Sequence, residues 1–168
     1  MFMPYILLVD DEPNILKALR RCILNARPKD EQGPLVVETF TSASKALERM
    51  EEQDFDVVIT DYRMPEMDGV AFLQRAIEIN PAARRLMMSA HAEREALIAA
   101  INDARIVRFL DKPWNDDQLR ATIDEVLRSR RKGEARSALA TTRLEAECPG
   151  ITQIERDDDG GIRVEPHA

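Results

Sequence analysis

The feature that most constrains this chain is an alternation: short apolar runs, each followed by a stretch of helical periodicity, repeated five times. Tyr5–Val9 is apolar throughout, as befits a strand buried on both faces. Residues 35–40, 55–60, 85–89 and 106–110 repeat the pattern. The first helical stretch opens at Pro13 and runs to Ala26, before Pro28, with Ile15, Leu16, Leu19 and Ile23 on one face. The second is capped by Thr41 or Ser42 and turns Ala46, Leu47 and Met50 inward. The third spans Gly69–Ile79 and stops at Asn80-Pro81; the fourth spans 93–104, with Leu97, Ile98 and Ile101 on one face. The fifth spans 115–128, capped by Asn115 or Asp116. Strict strand–helix alternation predicts an α/β fold, a doubly wound parallel sheet covered by helices on both faces. In such sheets ligands bind outside the carboxyl ends of the strands.

Composition narrows the setting. Of 168 residues, 44% are hydrophobic and 33% charged, which excludes a wholly disordered or collagen-like chain. A formal charge of −7 argues against a nucleic-acid or membrane surface as the dominant partner. No apolar run approaches the roughly 18 residues of a spanning helix, and residues 1–11 lack the basic start and cleavage site of a secretory signal. Cys22 and Cys148 have no metal-like spacing and suit a reducing cytoplasm.

After Arg128 the texture changes. Residues 129–133 are charged and end in Gly133, which reads as a linker. Residues 134–147 form a short helical pattern closed by Pro149-Gly150. Residues 151–155 and 162–165 flank a turn at Asp159-Gly160 or Gly160-Gly161, the pattern of a β-hairpin. The division is therefore 1–128 as the main domain and 129–168 as an extension of unknown role.

The strand ends carry the chemistry. The first run ends in Asp10-Asp11-Glu12, the third in Asp61, the fourth in Ser89-Ala90, and the fifth in Asp111-Lys112-Pro113. Parallel strands bring such tips together. Close carboxylates repel and hold protons unless a cation joins them, and a hard cation such as Mg²⁺ prefers oxygen ligands. Acidic groups with one lysine and one hydroxyl suit a phosphoryl group: cations neutralise its oxygens, the hydroxyl donates to one, and a carboxylate can be the nucleophile.

These residues, in this order, resemble the receiver domain of two-component response regulators over about residues 4–128. The resemblance implies a flavodoxin-like sheet in the order 2-1-3-4-5. It makes Asp61, in Asp-Tyr-Arg-Met-Pro, the phosphoacceptor. Asp10 and Asp11 become the metal pair, completed by Asp61 and the backbone carbonyl of Arg63, with Mg²⁺ as the ion and Mn²⁺ as its substitute. Ser89 becomes the switch hydroxyl beside the small Ala90, Lys112 the phosphate-binding lysine before a cis Pro113, and Phe109 the switch aromatic. Lys112-Pro113-Trp114 is similar to receivers in regulators of hydrogenase genes and cyclic-dinucleotide phosphodiesterases. The implied donor is a sensor histidine kinase or phosphotransfer protein. The chain would be a signalling switch rather than a classical enzyme, acting on an unknown downstream protein without touching nucleic acid directly. The extension would dimerise the chain or shield the switch face.

Plainer readings stand beside these. Asp10-Asp11-Glu12 suits a helix N-terminus, Asp61 a turn, Lys112 a surface, Ser89 a strand end and Phe109 the core. His91 and His167 stand alone as non-catalytic residues. A phosphatase with an aspartate nucleophile would carry Asp-x-Asp on the first strand, where this chain has adjacent aspartates. A docking module independent of phosphate would be free to lose one of Asp10, Asp11, Asp61, Ser89 or Lys112, and all five are present.

Overall fold

The computed structural model describes residues 3–25, 34–90 and 104–147. The chain divides into two units, Met1–Arg128 and Ser129–Ala168. In the first, β1 (Tyr5–Val9), α1 (Pro13–Leu24), β2 (Val36–Phe40), α2 (Ala43–Glu52), β3 (Val57–Asp61), α3 (Gly69–Ile79), β4 (Arg84–Ala90) and β5 (Arg108–Lys112) follow one another. The last helix, α4, runs Asp116–Glu147. The five strands form one parallel sheet in the order β2-β1-β3-β4-β5, the doubly wound topology read from the alternation.

Strand periodicity divides the core into two layers. Ile6 and Leu8 of β1, with Val57 and Ile59 of β3, pack against Leu16, Leu19 and Ile23 of α1 and Leu119 and Ile123 of α4. The intervening Leu7, Val9 and Val58 face the other way, onto Ala46, Leu47 and Met50 of α2 and Phe72 and Leu73 of α3. Every residue of β3 is buried, so its apolar run is continuous rather than alternating. Each large side chain buried this way contributes roughly 1.5–3 kcal/mol.

Local signals account for most boundaries. Ser42 caps α2, accepting from the Lys45 N–H at 3.3 Å, and Asp68 caps α3, accepting from the Ala71 N–H at 2.8 Å. Asn115 caps α4, its Oδ1 accepting from the N–H groups of Asp117 and Gln118 at 3.0 Å each. Asn80 does more than stop α3. Its buried amide donates to the Phe55 carbonyl at 3.0 Å and accepts from the Ala83 N–H at 3.2 Å, tying the turn to the start of β3.

Three expectations are corrected. β4 begins one residue early, at Arg84, because Arg84 pairs with Val57 and its N–H donates to the Asp56 carbonyl at 2.9 Å; the next residue, Arg85, is buried with its guanidinium donating to the carbonyls of Ala83 (2.6 Å), Ala104 (3.1 Å) and Pro81 (3.3 Å). β5 begins at Arg108 and ends at Lys112, two residues later than its apolar run, since pairing with β4 starts at Leu86↔Arg108. The expected linker at 129–133 is helical and continuous with 134–147. One glycine costs about 1 kcal/mol relative to alanine, too little to break a helix otherwise rich in Arg, Ala and Glu. The hairpin at 151–165 and nearly all of the helix at 93–104 lie outside the described residues.

The two-layer core predicts unequal responses to truncation. Leu8→Ala, at a wholly buried position, should lower stability by about 2–5 kcal/mol in urea unfolding. Leu24→Ala, at a position 37% exposed, should change it by less than about 0.5 kcal/mol.

Candidate functional site

Parallel register places four strand ends together. Val9 pairs with Thr60, Asp61 with Met88, and Ala90 with Lys112, so Asp10, Asp61, Ser89 and Lys112 all belong to the carboxyl edge of the sheet. The Lys112 side chain spans past β4 to lie between two carboxylates. Its Nζ is 2.8 Å from Asp10 Oδ2 and 2.8 Å from Asp61 Oδ1. The Lys112–Pro113 peptide bond is cis.

Asp10 is buried, and its second oxygen, Oδ1, accepts the Glu12 N–H at 2.9 Å. Helix capping does not explain this acidic run. Glu12 occupies the cap position of α1 without a side-chain cap bond, and the first turn holds no acid. Asp11 stands exposed at the rim. One carboxylate oxygen from each of Asp10, Asp11 and Asp61 lies within 4.8 Å of the others. An all-oxygen set of this kind fits a hard divalent cation.

Burial pushes the Asp61 carboxyl above the usual carboxylate range; Lys112 opposes that rise and the Asp10 charge adds to it. For Lys112, burial works against the ammonium, yet hydrogen bonds to Asp10 and Asp61 outweigh it and raise the pKa. The ammonium thus stays charged and offsets only part of the local negative charge.

The β3–α3 connection frames the opening. A cleft of about 530 Å³ is lined by Asp11, Tyr62, Arg63, Met64, Pro65 and Asp68, so Arg63 and Asp11 share one wall. Ser89 is buried one residue beyond Met88, the partner of Asp61, and pairs in register with Asp111. Phe109 is half-buried in β5 opposite Met87 and packs with the layer that holds Tyr62 and Met64. His91 and His167 lie outside the described residues.

The sequence reading missed Gly69 as part of the site. The Gly69 N–H donates to the Tyr62 carbonyl at 2.7 Å. A Cβ at this position would stand 2.3 Å from the Asp61 carbonyl oxygen and 3.1 Å from Tyr62 Cα, both rigid backbone. The available signal was a glycine at the first position of a helix, where a cap already supplied the turn. Glu66 is a second omission: its carboxylate accepts from Ser44 Oγ at 2.7 Å and the Ser44 N–H at 3.1 Å, fastening this connection to the start of α2.

Comparison with known proteins follows the same outline. The family profile described as the response regulator receiver domain matches residues 6–124. The chain is similar to the hydrogenase transcriptional regulatory protein HoxA of Bradyrhizobium diazoefficiens, 37% identical over 122 residues, covering 73% of this chain and 24% of that protein. The chain thus spans about a quarter of that relative's length. Among solved structures, the signal receiver domain of an HD domain-containing protein from Pseudomonas fluorescens Pf-5 superposes with a TM-score of 0.69 at 28% identity, over 79% of this chain and 93% of that one. A CheY-like receiver domain protein from Methanospirillum hungatei gives 0.68 at 24% identity, over 79% and 99%, and shares the fold.

Two predictions follow from this geometry. Gly69→Ala should destabilise the protein by about 1–3 kcal/mol, read by urea unfolding, as the Asp61 backbone is forced aside. Asp61→Asn should raise the melting temperature of protein held in chelator near neutral pH. A carboxyl whose pKa rises on folding opposes the fold once the solution is basic enough to ionise it. The gain should therefore fade as pH falls from neutral through the raised Asp61 value towards the ordinary aspartate range, and be gone below that range; thermal melts across pH check both parts.

Proposed function

The chain belongs to the response regulator receiver family of two-component signalling, and we propose that it works as a switch operated by phosphorylation of Asp61. The observation that carries this reading is the Lys112 ammonium set between the buried carboxylates of Asp10 and Asp61 at 2.8 Å from each. Such an arrangement holds a nucleophilic oxygen in place while keeping a cation beside the atoms where phosphoryl charge will sit.

A sensor histidine kinase or phosphotransfer protein presents a phosphohistidine. A carboxylate oxygen of Asp61 attacks phosphorus, the N–P bond breaks, and the imidazole nitrogen leaves with the bonding pair. Asp10, Asp11, Asp61 and the Arg63 carbonyl would hold Mg²⁺, with Mn²⁺ an acceptable substitute; the ion neutralises phosphoryl oxygens when bound. Lys112 moves its contact from the Asp61 carboxylate to the new phosphoryl group. Ser89 donates its hydroxyl to another phosphoryl oxygen.

Ser89 and Phe109 carry the state outward. Movement of Ser89 at the end of β4 changes the space beside β5, and Phe109, half-buried there, packs inward. A phosphoryl group that binds one arrangement better than the other shifts the population between them. Output passes through contact with a downstream protein rather than nucleic acid, in the cytoplasm, with residues 129–168 either pairing two copies or shielding the switch face. Transfer to Asp61 is a stoichiometric modification rather than turnover of a released substrate.

Incubation with acetyl phosphate and Mg²⁺ tests the assignment. Intact-mass measurement should show one added phosphoryl group, absent in Asp61→Ala and without added divalent cation. An adduct that persists in Asp61→Ala overturns the site. Lys112→Gln should still accept phosphate but lose most of the phosphorylation-dependent amide shifts around β4 and β5.

A further inference from the structure

On the far side of Lys112, between α1 and the start of α4, lies a second cavity of about 570 Å³. That volume falls within the roughly 300–1,000 Å³ of small-molecule sites. Its wall combines flat apolar surface with guanidinium groups. Ile15, Cys22 and Trp114 supply the apolar part, and Arg21 and Arg120 the charge. Lys112 also reaches this wall, but its ammonium is already neutralised by Asp10 and Asp61.

The two arginines are not so occupied. Arg120 Nε is fully buried and has no hydrogen-bond partner among the described residues. Its Nη1 lies 3.7 Å from Asp117, whose side chain is 93% exposed, and the guanidinium also faces the Cys22 thiol. A buried donor left unsatisfied favours the entry of an acceptor. Arg21, in the last turn of α1, is exposed at the mouth of the cavity. The one acid in the wall, Asp116, has its Oδ1 held by the Trp114 indole N–H at 3.1 Å.

We propose that this cavity is a binding site for a small planar organic anion, its ring against Trp114 and Ile15 and its carboxylate on Arg120 and Arg21. Guanidinium groups match a carboxylate through paired N–H donors, and an indole face takes a flat apolar body. A neutral ligand of the same shape would gain the ring contact alone.

Trp114 is the single tryptophan of the chain, so its indole N–H resonance reports on this cavity without further assignment. The full chain should be titrated with 2-naphthoate and, separately, with 2-naphthamide. The acid should shift the indole peak saturably, with a Kd of about 1 mM or tighter, and the amide should bind about tenfold more weakly. Arg120→Gln should bring the acid down to the affinity of the amide and leave the amide unchanged, which also shows that the variant is folded. Arg21→Gln should cause a smaller loss in the same direction. Equal affinity for acid and amide, no saturable shift, or an unaltered acid affinity in both variants overturns the proposal. An indole shift on simple dilution, without probe, also overturns it, because the face would then be occupied by a second copy.

Discussion

A single ammonium between two buried carboxylates organises this molecule. Asp10 and Asp61 end different strands, and nothing in their own sequence neighbourhoods would make burying both tolerable. Buried carboxylates without a partner lose several kcal/mol of solvation or take up protons. Lys112 makes the pair sustainable and spans β5 to β1 across the sheet edge. The rest of the architecture can be read as the means of delivering that nitrogen: parallel pairing aligns the strand tips, and β5 extends far enough for Lys112 to be its final residue. One cation is nonetheless insufficient for three acids: burial holds the Asp61 carboxyl above its usual range and the Asp10 charge adds to that rise, which a divalent ion would oppose.

Much of this was legible because burial on both faces writes itself plainly into a strand. Tyr5–Val9 leaves almost no other reading, the run at 55–60 finds β3 with its start two residues early and its end one residue short of Asp61, and Asn80-Pro81 marks the end of α3. The site was legible for a related reason. Strand ends in a parallel sheet are neighbours whatever their distance in sequence, so polar residues at several tips announce a cluster.

What escaped the sequence had specific causes. Arg84 begins β4 although it is charged, because its N–H pairs with the Asp56 carbonyl, a bond that side-chain polarity does not announce. Gly133 looked like a break, but its helical penalty is small beside the propensity of its neighbours. The link from Glu66 to Ser44 joins residues 22 apart across a surface, and neither residue type marks such a bond in advance. Arg120 and Arg21 line one cavity only because α1 and α4 pack side by side on the same face of the sheet, a fact of tertiary structure.

Gly69 carries a mechanical implication. The first residue of α3 hydrogen-bonds to the Tyr62 carbonyl, and its Cα region sits directly against the Asp61 carbonyl with no room even for a methyl group. A joint with so little clearance has no backlash. A rotation of the Asp61 peptide plane towards Gly69 would press on the first turn of α3, with no side chain between them to repack. A bulkier joint would need slack, and slack would blunt small displacements before they reached the surface. The missing side chain therefore acts as a tolerance specification, keeping the acceptor strand and its following helix in direct drive.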